Sequence, residues 1–252
     1  MKLFVWGDEP DALIEAESKT LDRLSVARET EHHVFRYAPG SLAEREIEAV
    51  AAEQEGDYAR LADLFGFELP QKVEYFLTDS PGENGAILQE LFGLEPCPTN
   101  GLSIGPNYVL GAYGDGVRAI GAHEVAHLFS YRLCMPKCEL LSEGLAMYAD
   151  VAFWGKPNRQ WGKEFLERGV YIPLAQLLSD EGFYAHPSEI TYPIAGAFVE
   201  FLINHLGQER FLQEVYTADL PLLENLSQRL GIPAEEVEAR FIRFMEEDPC
   251  GC

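Results

Sequence analysis

Two histidines four residues apart, with a glutamate directly after the first, constrain this chain more than any other feature. They lie in Ile120–Asp150, which reads IGAHEVAHLFSYRLCMPKCELLSEGLAMYAD. An α-helix completes a turn in 3.6 residues, so His123 and His127 project from one face. Two neutral imidazole nitrogens on a rigid element are what a tetrahedral zinc takes, at about 2 Å. Glu124 sits about 100° around the helix from His123. That offset keeps it from being a third ligand but lets it reach a water on the metal, as a general base.

Two histidines do not complete such a site. A third ligand must come from elsewhere in the chain and leave one position open. Glu143 is the candidate, in Leu141-Ser142-Glu143-Gly144-Leu145-Ala146. It follows a break carrying Pro136 and lies at the start of a second apolar helical run. A helix–loop–helix hairpin would return it over the histidine pair. The other reading makes Glu143 a cap on that second helix, since Ser142 precedes it and acidic residues favour first turns. Asp150, two turns after Glu143, either accepts the second ring N–H of a ligand histidine or is a solvated helix-end carboxylate.

HEVAH followed by SEGLAMY resembles the gluzincin metallopeptidases, in particular the peptidase MA-like family. The later stretch Tyr192-Pro193-Ile194-Ala195-Gly196-Ala197-Phe198-Val199-Glu200-Phe201-Leu202 resembles the Y-x-x-x-G-x-F-V-x-x-L helix of that branch. The resemblance runs roughly from Val73 to Tyr216. It implies Zn²⁺ on His123, His127 and Glu143, with Glu124 as base. It also implies a role for Tyr192, which aligns with a tyrosine that stabilises the oxyanion; a packed aromatic before a helix is the other reading. The implied substrate is a peptide or protein. Asn107–Tyr113, where gluzincins place the strand that pairs with substrate, lacks the G-x-M-E-N pattern of the aminopeptidase branch. That argues against an exopeptidase and for an endo- or oligopeptidase.

The chain has 252 residues, 47% hydrophobic and 12% aromatic, enough for a sizeable core. Its net charge is −23, which repels phosphate backbones and anionic membranes. Nucleic acid is therefore not an expected partner. No run is long enough to span a membrane, and Met1–Trp6 is too short for an export signal. The expected location is cytoplasmic unless a leader has been trimmed. Five cysteines, an odd count, do not make a tidy disulfide framework. Cys134 and Cys138 read as thiols or a local bridge.

In chain order, Asp11–Arg28 has helical spacing and Glu31–Tyr37 reads as a strand. His32 and His33, adjacent on that strand, read as surface histidines. Ser41 and Glu44 form a capping box for a long helix to about Phe65, stopped by Gly66. Lys72–Leu77 reads as a strand, Ile87–Leu94 as a short helix, Pro96–Gly105 as loop and Asn107–Tyr113 as a strand. After Asp150, Trp154–Asn158 reads as loop. Short helices are expected near Lys163–Arg168 and over Ile172–Leu178. Pro193 reads as the start of a helix over Ile194–Leu206. Helices over Glu209–Tyr216, Leu222–Leu230 and Pro233–Glu246 close the chain.

The expected fold is α+β, mainly helical and zincin-like, with a small sheet before the HExxH helix. Residues 1–116 would form an α+β lobe and 117–252 the zinc-site helices with a helical lobe, together one catalytic unit. The expected activity is zinc-dependent peptide-bond hydrolysis. Two rivals share the same site: a binding or regulatory protein without turnover, and a zinc hydrolase of a non-peptide electrophile. The intact Glu124 speaks against the first. The sequence specifies no oligomeric state.

Overall fold

The computed structural model describes residues 22–93, 95–134 and 137–247. Met1–Trp6, the first half of the helix expected over Asp11–Arg28, and the tail with Cys250 and Cys252 fall outside them. The class is α+β, mainly helical with a small mixed sheet. The chain divides into two compact units, Met1–Phe129 and Ser130–Cys252.

The first unit is built on the sheet. β1 (Val26–Glu29) lies antiparallel to β2 (His33–Tyr37), with Val26 opposite Tyr37. Helix was expected as far as Arg28; pairing along β2 overrides that spacing, because strand formation is decided by the neighbour on offer. β2 and β3 (Val73–Thr78) are parallel, and α1 (Leu42–Phe65) crosses between them as a parallel pair requires. Ser41 caps the helix as expected, while Glu44 reaches one residue past it, to Gly40. Ser41 Oγ accepts from the Glu44 N–H at 3.1 Å, and Glu44 accepts from the Gly40 N–H at 2.6 Å. Gly66 closes the helix in the left-handed conformation, φ 77°.

α2 (Pro81–Phe92) follows β3, longer than expected because Ser80 caps it with Pro81 in the first turn. Gly101–Ile104, inside the expected loop, is strand β4, antiparallel to β5 (Tyr108–Gly114). Its few residues show no alternation to read; the ladder with β5 makes it a strand. β5 lies between β3 and β4, so Asn107–Tyr113 is not the edge that gluzincin logic assigned to substrate. The sheet order is β1-β2-β3-β5-β4, with β4 terminal and β6 (Val117–Arg118) pairing off β5.

His33 corrects the surface reading of the histidine pair. It faces inward with Phe35 and Tyr37 and is fully buried. Burial is tolerated because its Nδ1–H donates to Glu55 at 3.0 Å. His32 Nδ1–H donates to the same carboxylate at 2.6 Å. Tyr58, one turn along α1, stacks on His32 at 4.0 Å between ring centroids and meets Phe129 edge-on at 5.2 Å.

α3 (His123–Leu133) begins in the first unit and ends in the second. The second unit continues with α4 (Glu139–Ala149) and a tight hairpin, β7 (Ala152–Phe153) with β8 (Lys156–Pro157), where loop was expected. Then come α5 (Asn158–Glu167), α6 (Leu174–Leu177), α7 (Asp180–Tyr184) and α8 (Ser188–Leu206). Pro193 lies inside α8, not at its start. The helix begins at Ser188, with Ile190 and Thr191 donating to the Pro187 carbonyl. One lost backbone bond at Pro193 is offset by a helix buried along most of its length.

Glu209–Tyr216 splits into a short helix α9 (Gln208–Arg210) and a π-helical stretch over Phe211–Tyr216. α10 (Leu222–Leu230) and α11 (Ala234–Glu246) end the unit as expected. Cys97, Cys134 and Cys138 are thiols. Among the described residues no helix is long and apolar enough to cross a membrane.

Candidate metal centre

His123 opens α3 and His127 follows one turn later. The spacing that predicts a shared face is realised, with ring centroids 5.0 Å apart and planes 82° to each other. His127 is buried and His123 half-buried. The helix is fixed by its other face, where Val125, Leu128 and Phe129 are buried. Phe129 packs against Tyr58 and Phe65, with ring centroids 5.2 and 5.3 Å away. At the start of the helix, Gln54 of α1 donates to the Gly121 carbonyl at 3.3 Å.

Glu143 is buried on α4. The helix begins at Glu139, so Glu143 stands a full turn inside it and does not cap it. The cap is made elsewhere: Asp180 of α7 accepts from the Glu139 N–H at 3.1 Å. α4 lies along α8 at close range, and two glycines permit it. A Cβ on Gly144 would lie 2.6 Å from the Ala195 carbonyl oxygen and 2.8 Å from Val199 Cγ2. A Cβ on Gly196 would first meet Asn158 Nδ2 of α5 at 2.5 Å and then Met147 Cβ at 2.8 Å. The glycine of SEGLA thus admits the α8 backbone beside Glu143, while that of YPIAGAF makes room for Asn158 and Met147.

The ligand atoms of His123, His127 and Glu143 all lie within 4.8 Å of one another. Among the described residues these three form the group of histidine, cysteine and carboxylate side chains able to hold a metal ion. No protein-family model matches this chain, and no curated protein matches it. The donor set itself is informative. Two imidazoles and one carboxylate suit a first-row transition-metal ion and leave coordination positions open for water or substrate. At bond lengths near 2.1 Å, tetrahedral ligand atoms stand about 3.4 Å apart, so small side-chain adjustments close this triangle on one ion.

Glu124, half-buried, sits on the first turn of α3 against β4, its carboxylate beside Gly101. Tyr192 is on α8, its ring centroid 5.8 Å from that of Phe183. Sequence reasoning passed over Tyr184, the last residue of α7. Burial, then the Glu143 and Glu139 carboxylates, push its phenol far above the usual range, and it also hydrogen-bonds Glu139. It thus stands near a candidate ligand and is 44% exposed. No motif marks it; only the packing of α7 on α4 brings it there.

Proposed function

We propose that this protein is a zinc-dependent peptide-bond hydrolase with a zincin-like fold of the gluzincin type. The observation that carries the reading is the convergence of His123, His127 and Glu143, with Glu124 on the same helix turn as His123. Zinc bound there supplies Lewis acidity, polarising a carbonyl and lowering the pKa of a water.

The chain's own residues do the rest. Glu124 takes a proton from the attacking water and delivers it to the leaving amine, which amide cleavage needs because an amide anion leaves poorly. β4, the terminal strand of the sheet, offers its backbone to an extended peptide as one more strand, beside Glu124. Two phenols are candidates for the donor to the developing oxyanion. The family resemblance points to Tyr192; Tyr184 is the second, though its hydroxyl already pairs with Glu139.

The test is cleavage of a quenched fluorescent peptide library by wild type and Glu124→Gln at equal zinc content. Gln keeps the size and helix propensity and removes the base. The variant is expected to keep its zinc and lose about 10²–10⁴-fold in rate. A wild type that cleaves no peptide when zinc-replete would instead leave a binding role or a non-peptide substrate.

A further inference from the structure

Gly101 has no backbone reason to be glycine. It begins β4 paired with Gly111, and its φ is outside the left-handed region that favours glycine. Glycine weakens a strand, and where it persists it marks a close approach. What approaches Gly101 is Glu124. A Cβ there would lie 2.6 Å from Glu124 Oε1, 3.1 Å from its Cγ and 3.2 Å from its Cδ.

Other crowded glycines of this unit face backbone or a buried ring. A Cβ on Gly114 would meet the Asp79 carbonyl oxygen at 2.1 Å, and one on Gly111 would meet Tyr75 Cε1 at 2.8 Å and the Ala119 carbonyl oxygen at 2.9 Å. Those contacts serve packing, since neither backbone nor the fully buried Tyr75 ring can yield without moving the fold. At Gly101 the obstructing atom is the tip of a flexible side chain. A methyl group there is accommodated by displacing that tip, at little cost to stability. The displaced group is the carboxylate proposed above as the base.

We propose that Gly101 is a positioning residue, whose missing side chain sets where the Glu124 carboxylate stands beside the metal centre. This rests on the reading of Glu124 as the base. Ordinary contact begins at 3.4 Å, so Ala at 101 drives Oε1 back by about 0.8 Å. A misplacement of about 1 Å in a catalytic arrangement costs on the order of 10²-fold.

The experiment uses the full chain loaded with one equivalent of zinc. Gly101→Ala is expected to hold zinc as wild type does, since His123, His127 and Glu143 are untouched, and to melt within a few degrees of wild type. Its kcat/KM on the peptide library falls about 10²-fold. Combined with Glu124→Gln, it adds no further loss, because the group it acts through is already disabled. A crystal structure of Gly101→Ala, read without any assay, shows the carboxylate displaced by about 0.8 Å.

Wild-type activity in Gly101→Ala, with Glu124 in place, overturns the proposal. So does a full further loss in the Glu124→Gln background, which would make the effect structural. If Gly101→Ala does not fold, adding Glu124→Asp withdraws the carboxylate by one methylene. Recovery of folding then supports the overlap, and persistent unfolding overturns it. The two readings separate cleanly. Full activity in Glu124→Gln removes the base and the inference together, while an inactive Glu124→Gln beside an active Gly101→Ala removes the inference alone.

Discussion

The carbonyl oxygen of Ala195 occupies the place where a side chain at Gly144 would begin, 2.6 Å from an ideal Cβ. Val199 Cγ2 blocks the same position at 2.8 Å. Because one obstacle is helix backbone, Gly144→Ala forces α4 and α8 apart. Overpacking of this kind costs about 1–3 kcal/mol. Glu143 is the preceding residue, so it moves with the helix. Thermal unfolding should show the loss of stability, and a chelator competition should show weaker zinc binding. A variant of wild-type stability would mean that the helices separate freely.

Zinc should bind at about one equivalent per chain. His123→Ala should lose most of it, and Glu143→Gln should weaken it strongly while circular dichroism stays unchanged, since Gln is as good a helix former as Glu. Metal analysis after dialysis against a weak chelator reads both. Unaltered zinc affinity in Glu143→Gln would exclude that residue from the centre.

The two phenols are separable. Tyr192→Phe should lower kcat by about 10²-fold with zinc content unchanged, the usual effect of removing one oxyanion donor. Tyr184→Phe should lower it less, because the Tyr184 hydroxyl is already engaged by Glu139 and the negative field of Glu139 and Glu143 repels an oxyanion. The reverse order of the two losses would assign the donor to Tyr184.

Acid should destabilise the first unit through His33 and Glu55. Burial lowers the His33 pKa from 6.5 against the pull of Glu55. Burial works to raise Glu55, but hydrogen bonds from His33, Thr30 and His32 outweigh it and bring its pKa down to about 2. The folded state thus binds fewer protons than the unfolded chain at both groups, and stability rises with pH. The His33 contribution is complete above pH 6.5 and is lost as pH falls through its lowered folded value. The Glu55 contribution is present above about 4.5 and lost toward 2. Urea midpoints between pH 7.5 and 4 should fall in wild type. The fall should be smaller in His33→Asn. A flat wild-type profile would contradict the coupling.

The sequence by itself determined several local elements and where the candidate ligands stand on them. Ser41, Glu44 and Gly66 bounded α1, and a four-residue spacing put His123 and His127 on one helical face. These outcomes depend on hydrogen bonds and helix periodicity within a few residues. Tertiary structure decided the rest. β4 became a strand because β5 lay beside it, and Val26–Glu29 left its helical spacing to pair with β2. His33 went inside because Glu55, on another element, met its imidazole. Tyr184 came to the carboxylates, and Gly101 to Glu124, through packing between elements. Such contacts depend on where distant backbone lies, which spacing along the chain does not encode.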